Sequence, residues 1–173
     1  MEKNYTERTT KAVLDEIQSL KNSFKGKVLI AAHHYQQGDI VRFADAVGDS
    51  YRLAVIASQS DAEIIVLCGV RFMAESAAVL ARPNQRVLLP DFSAGCPMAD
   101  MTTRSAAQKA LESIKKLTGK DAVPLTYMNS WADLKALTGA KGGSICTSGN
   151  AVKILSCFLK QDRPVLFMPD KNL

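Results

Sequence analysis

The chain has 173 residues, of which 47% are hydrophobic and 23% charged, with a formal net charge of +5. This composition is typical of a water-soluble globular protein with a buried core, and the length allows one domain or two small ones. The Lys and Arg residues are scattered and only 6% of residues are aromatic, which argues against a nucleic-acid partner, and the apolar runs are too short to span a membrane.

The alternation of apolar runs and amphipathic segments predicts helices that alternate with short strands. In chain order we expect a helix over 10–23, a strand over 27–32, helices over 39–47 and 50–57, a strand over 63–67, a helix over 71–80, a strand over 86–89, a helix over 103–117, a strand over 122–127, a helix over 131–137, a strand over 144–146, a helix over 150–159 and a strand over 164–168. This order predicts an α/β fold with short parallel sheets in three-layer αβα domains.

Internal similarity suggests two copies of a three-strand unit. A strand ends in Pro-Asp at 90–91 and again at 169–170, 79 residues later, and the same offset aligns the strand ends at 68–69 and 147–148. Tyr35 matches Tyr127 at a separation of 92 residues. We therefore predict a first domain over 1–97 and a second over 98–173, whose copy of the unit stops before a counterpart of Cys96.

The N-terminal segment is polar and lacks the apolar stretch of a secretion signal, which favours a cytoplasmic protein. In that compartment cysteines are reduced thiols or ligands rather than disulfides. The four cysteines are Cys68, Cys96, Cys146 and Cys157, and their spacing defines no self-contained zinc or cluster site. Cys96 stands apart because it follows the small residues Ala94 and Gly95, and its thiol could be a nucleophile, a metal ligand or inert.

Polar residues follow the first predicted strand, at the end of a sheet where α/β proteins bind ligands. His33 and His34 are adjacent there, and the alternation of strand side chains predicts that only one of them faces a shared site. Tyr35 follows them. Ser50, next to Asp49 at the start of a helix, either binds an anion or belongs to an ordinary helix cap.

The second half of the chain has similar features. Tyr127 and Asn129 are two residues apart at a strand end, so they can point the same way and hydrogen-bond a carboxylate or carbonyl. Ser148 lies in a turn that opens a helix, where it either binds an anion or, like Asn150, caps the helix. The chain has no glycine-rich dinucleotide or P-loop motif.

Several stretches become specific in combination. In order, they are AAHHYQ, DAVGDS, CGVRFMAESAAVL, VLLPDFSAGCPMAD, TYMNSWADLKA, CTSGNAVKIL and FMPDKNL. Together they resemble the N-terminal portion of the quinolinate synthase family. The resemblance implies two of three αβα units related by a pseudo-threefold axis, with the third unit beyond residue 173.

The resemblance also implies a reaction. Members of this family condense iminoaspartate with dihydroxyacetone phosphate to quinolinate, with loss of phosphate and water, in NAD biosynthesis. They use a 4Fe-4S cluster as a Lewis acid. L-aspartate oxidase or aspartate dehydrogenase would supply the iminoaspartate.

The family motifs assign roles to individual residues. They make Cys96 the first of three cluster ligands, while Cys68, Cys146 and Cys157 do not match ligand motifs. His33 is preferred to the variable position His34. The substrate-contacting residues implied are His33, Tyr35, Ser50, Tyr127, Asn129 and Ser148, with His33, Tyr35 and Tyr127 in catalytic roles. Because the other two ligands would lie beyond residue 173, the chain alone is expected to be inactive.

Two other functions are compatible with the residues. One is a truncated or degenerate non-catalytic α/β protein that binds small anions or a partner. The other is a cysteine hydrolase that uses Cys96 and His33.

Overall fold

The computed structural model describes residues 9–170, which divide into two compact units between Phe92 and Ser93. The first unit contains α1 (Thr10–Ser23), β1 (Val28–His33), α2 (Gly38–Val41), β2 (Ala46–Gly48), α3 (Ser50–Gln59), β3 (Ile64–Cys68), α4 (Arg71–Leu80) and β4 (Arg86–Leu88). The second contains α5 (Pro97–Asp100), α6 (Arg104–Thr118), β5 (Val123–Tyr127), α7 (Ala132–Ala140), β6 (Ser144–Cys146), α8 (Ala151–Leu159) and β7 (Val165–Met168). The predicted domain boundary, between residues 97 and 98, lies five residues after this division. That the two units are separate domains remains a prediction.

The first unit is built on a parallel sheet of four strands in the order β2-β1-β3-β4. Ala31 and Ala32 in β1 and Leu67 in β3 have no exposed surface, as expected for central strands covered on both faces. Leu53 of α3 and Phe72 of α4 complete this core with 0% and 2% exposure. The core therefore fixes the end of β1, where the first candidate site residues lie.

The second unit has a parallel sheet of three strands in the order β6-β5-β7, covered on both faces. On one face, Met168 packs with Leu111 of α6 and Leu134 of α7. On the other, Phe167 packs against the cluster that contains Leu125 and residues of α8. This alternation along β7 confirms the predicted α/β class with short parallel sheets and helical layers.

The predicted helix over 39–47 is wrong in its second half. Only Gly38–Val41 is helical, and Ala46–Gly48 forms the edge strand β2, parallel to β1. Asp45 starts this pairing: its backbone N–H donates to the Ile30 carbonyl at 2.8 Å, and its Oδ2 accepts from the Ile30 N–H at 2.9 Å. Lys21 forms an ion pair with Asp45 at 2.7 Å. Long-range pairing with β1 therefore overrides the local helical pattern.

The sheet register also corrects the alignment of the two repeats. In both sheets the central strand lies between the next two strands of its unit, so that β1, β2 and β3 correspond to β5, β6 and β7. His33 pairs with Gly48 as Tyr127 pairs with Cys146, which makes His33 the counterpart of Tyr127. Cys68, the partner of Ala32, corresponds to Met168, the partner of Thr126. The offset of 79 residues had aligned Cys68, at the end of β3, with Thr147, which follows β6 and not the corresponding strand β7.

None of the helices within residues 9–170 is long and apolar enough to cross a membrane.

Candidate functional site

Three aromatic rings cluster at the end of β1. The rings of His33 and His34 stack with their centroids 4.3 Å apart, and Tyr35 lies 4.8 Å from His33 and 4.3 Å from His34. The strand ends at His33, so strict alternation of side chains does not extend to His34, which lies in the following turn. His33 is partly buried, whereas His34 and Tyr35 are exposed. The cluster thus presents two polar rings to solvent over a partly covered imidazole.

The environment of His33 favours a neutral ring with a defined tautomer. The Tyr35 backbone N–H donates to His33 Nδ1 at 3.4 Å, so the proton of the neutral ring lies on Nε2. Burial lowers the pKa of His33 below its ordinary value, the charge of His34 lowers it further, and the carboxylate of Asp49 opposes both. His33 can therefore act near neutral pH as a hydrogen-bond donor through Nε2.

These neighbours predict opposite shifts in the titration of His33. Asp49→Asn should lower the pKa of His33 because it removes the anion that stabilises the imidazolium, while His34→Gln should raise it because it removes a competing cation. An NMR titration of the imidazole resonances measures both. Two shifts in the same direction would contradict this account of the site.

Ser50 begins α3, but the helix cap is the neighbouring Asp49. Asp49 Oδ1 accepts hydrogen bonds from the backbone N–H groups of Tyr51 and Arg52, both at 2.9 Å. Asp49 also interacts electrostatically with His33, a second role that the sequence does not indicate. The capping interpretation thus applies to Asp49, and anion binding by Ser50 remains a prediction.

In the second unit, Tyr127 and Ser148 form a reciprocal pair. The Tyr127 hydroxyl donates to Ser148 Oγ at 3.0 Å and accepts from the Ser148 backbone N–H at 3.1 Å. Asn150 is the N-cap of α8, and its Oδ1 accepts from the Thr147 N–H at 2.7 Å. Ser148 is therefore not the cap, and its hydroxyl, the Tyr127 phenol and a backbone N–H are grouped at one strand end.

Cys96 is held against Asn129. Asn129 Nδ2 donates to Cys96 Sγ at 3.6 Å, and both residues are partly exposed. Cys96 is extended, with φ of −138° and ψ of 113°, and Pro97 directly after it begins α5. A reachable sulfur with an amide N–H donor is suited to bind iron as a thiolate, since hydrogen bonds to sulfur stabilise its negative charge.

The other thiols lie in different environments. Burial raises the pKa of Cys68 and of Cys146, which disfavours their thiolates, and Cys157 is exposed on α8. Within residues 9–170, no group of three or more His, Cys, Asp and Glu side chains is arranged to hold a metal ion. The described residues thus offer one candidate ligand for a metal cluster, Cys96, and no complete ligand set.

The corrected repeat relates the two sets of candidate residues. Because His33 corresponds to Tyr127, Tyr35 two residues later corresponds to Asn129. Gly48 likewise corresponds to Cys146. Ser50 and Ser148, each two residues later, are therefore equivalent to one another. Each unit therefore presents the same three positions at the end of its central strand and of the neighbouring strand. Whether these six residues act on one substrate remains a prediction.

Comparison with known proteins identifies the family. The family model described as "Quinolinate synthetase A protein" matches residues 15–173. The chain belongs to the quinolinate synthetase A family. This confirms the resemblance deduced from the motifs.

Curated relatives of the quinolinate synthetase A family agree. The quinolinate synthase of Bacillus pumilus is 45% identical over 174 residues, which cover 100% of this chain and 47% of the relative. The quinolinate synthase of Streptomyces coelicolor is 48% identical over 158 residues, which cover 88% of this chain and 39% of the relative. That of Bacillus subtilis is 40% identical over 174 residues, which cover 100% of this chain and 47% of the relative. The chain thus spans about half the length of the curated relatives it matches.

Proposed function

We propose that this chain forms part of a quinolinate synthase, which condenses iminoaspartate with dihydroxyacetone phosphate to quinolinate with loss of phosphate and water, in the cytoplasmic synthesis of NAD. L-aspartate oxidase or aspartate dehydrogenase would supply the iminoaspartate. The observation that carries the proposal is the Cys96–Asn129 contact beside the Tyr127–Ser148 pair, in a chain of the quinolinate synthetase A family.

His33 and Tyr35 handle protons in this proposal. The Nε2–H of His33 donates to a carbonyl or carboxylate oxygen of the substrate, and its lowered pKa keeps the ring neutral, so that the ring is available to accept a proton during the reaction and return it afterwards. The exposed phenol of Tyr35, packed against both histidine rings, is a second donor. Ser50 donates its hydroxyl to an anionic group.

Tyr127, Asn129 and Ser148 bind the anionic parts of the substrates. The Ser148 N–H, the Ser148 hydroxyl and the Tyr127 phenol are three hydrogen-bond donors held together by contacts of 3.0 and 3.1 Å. Such a group of donors is suited to bind a carboxylate or phosphate. A substrate oxygen would replace part of the reciprocal Tyr127–Ser148 pair. The phenol of Tyr127 would then be placed to pass a proton to the bound substrate.

Cys96 would hold one iron of a 4Fe-4S cluster, and Asn129 would donate to its sulfur. When bound, the cluster supplies a Lewis acid that polarises a substrate oxygen for loss of water. The remaining ligands would come from parts of the protein outside these 173 residues.

The test is an anaerobic assay of the complete product of the gene that encodes these residues. After reconstitution with iron and sulfide, it should form quinolinate from iminoaspartate and dihydroxyacetone phosphate. The 173 residues on their own should form none, because one thiolate does not hold a cubane cluster. A loaded complete protein that makes no quinolinate would overturn the proposal.

One observation favours a second candidate, a non-catalytic α/β protein that binds small anions or a partner. Val152 and Leu159 on α8 are 78% and 64% exposed, an apolar surface that suits contact with another polypeptide. In that case the complete gene product would bind phosphate or dicarboxylates without turnover.

A further inference from the structure

A second hydrogen bond joins the two segments that carry Cys96 and Asn129. The indole Nε1–H of Trp131 donates to Asp100 Oδ1 at 3.0 Å. Asp100 is the last residue of α5, which begins directly after Cys96, and Trp131 lies two residues beyond Asn129. Two contacts, Cys96–Asn129 and Asp100–Trp131, therefore run side by side between the same two segments.

The Trp131 side of this arrangement is firmly held. Met128 N–H donates to the Cys146 carbonyl at 2.7 Å, and Ser130, which is 1% exposed, donates through Oγ to the Tyr127 carbonyl at 2.9 Å. Trp131 then caps α7, and its carbonyl accepts from the Lys135 N–H at 3.1 Å. Asn129 and Trp131 thus sit on a rigid turn between β5 and α7.

The Cys96 side is a short helix of four residues, Pro97–Asp100, that docks through one buried side chain, Ala99 at 1% exposure. A small apolar contact fixes the depth of such a helix better than its rotation. The directional bond from Trp131 to Asp100, at the far end of the turn, fixes the rotation that carries Cys96 Sγ towards Asn129.

We propose that Asp100 and Trp131 are positioning residues that hold the Cys96 sulfur against the Asn129 amide. The proposal rests on the assignment of Cys96 as a ligand in the proposed function, and it adds how this chain orients that ligand. Neither residue touches the substrate in this scheme. Each acts through the Cys96 segment.

The test measures whether the Cys96–Asn129 contact depends on the Asp100–Trp131 bond. Iodoacetamide alkylation of the metal-free 173-residue chain is followed peptide by peptide, with the exposed Cys157 as internal reference. Asn129→Ala should change the alkylation rate of Cys96 by about threefold or more, as expected for loss of one net hydrogen bond. In a Trp131→Phe background the same substitution should change it by less than about 1.5-fold, because the contact is already lost.

Two further variants keep the result decisive. Asp100→Asn retains an oxygen that accepts from the indole, so Asn129→Ala should change the Cys96 alkylation rate in this background as it does in the wild type. Asp100 is exposed, and Asp100→Ala removes the acceptor, so it should abolish the effect of Asn129→Ala as Trp131→Phe does. Trp131 is the single tryptophan, so its one indole N–H resonance reports directly on the bond. If Trp131→Phe alters the rate of Cys157 and so perturbs the fold, Asp100→Ala replaces it as the background.

The proposal is overturned if Asn129→Ala has the same effect in both backgrounds, or no effect in the wild-type chain. Because no iron and no substrate are present, a failed quinolinate assay leaves this result standing. Conversely, a complete protein that makes quinolinate would leave the proposed function intact even if Asn129→Ala had the same effect on Cys96 alkylation in both backgrounds.

Discussion

Replacing His33 by Gln in the complete gene product should slow quinolinate formation by about 100-fold or more, the usual contribution of a positioned proton-transfer group. Gln keeps a donor near the position of Nε2 but cannot accept and return a proton. The loss should appear in kcat rather than only in KM, since the glutamine amide still hydrogen-bonds the substrate. Steady-state rates under anaerobic conditions measure it.

The matched control for this experiment is His34→Gln. His34 stacks on His33 at 4.3 Å and lowers its pKa, but it makes no contact with substrate in the proposed mechanism, so its loss should change the rate far less than the loss of His33 itself, by less than about threefold. Equal losses for the two variants would remove the special role of His33.

Gly143→Ala should destabilise the second unit by about 3 kcal/mol, in the upper range for forcing a group into a packed site. Gly143 lies directly before β6, and a Cβ there would collide with the backbone carbonyl of Pro124 in the neighbouring strand β5, 2.9 Å from its carbon. The backbone cannot move away without breaking the β5–β6 register that places Tyr127 beside Ser148. Urea unfolding followed by Trp131 fluorescence, whose reporter lies in this unit, measures the change.

The control is Gly139→Ala, four residues earlier in α7. A Cβ at Gly139 meets nothing within 4 Å, so alanine should leave stability unchanged or raise it by up to about 1 kcal/mol through its helix propensity. If both variants unfolded at the same urea concentration, the close approach of Gly143 to Pro124 would be refuted.

Elements with strong local signals were predictable from sequence. The helix Arg71–Leu80 has the predicted bounds because its apolar spacing is regular, and the strand Ser144–Cys146 has them because two glycines directly before it mark its start. The edge strand Ala46–Gly48 was missed since three residues are too few to show a period, and its pairing is set by Asp45 and Ile30, fifteen positions apart. The short helix Pro97–Asp100 was missed for the same reason.

The candidate residues were found by motif, but their arrangement required the fold. Cys96 and Asn129 are 33 positions apart, and no local pattern indicates that their side chains meet. The equivalence of His33 with Tyr127 follows from strand register. The similar Pro-Asp pairs at 90–91 and 169–170 had instead suggested that β4 corresponds to β7, which is the wrong alignment. A search that required the central strands to align could have found the serine pair Ser50 and Ser148.

Iron content and quinolinate formation of Cys96→Ala, measured beside those of Cys157→Ala in the complete gene product, show whether Cys96 holds the cluster. Cys157 is exposed on α8 and outside every proposed contact, so its variant should load iron and turn over as the wild type does. Cys96→Ala should lose the stable cluster and form no detectable quinolinate. A Cys96→Ala protein that retains its iron and makes quinolinate at the wild-type rate would contradict the account.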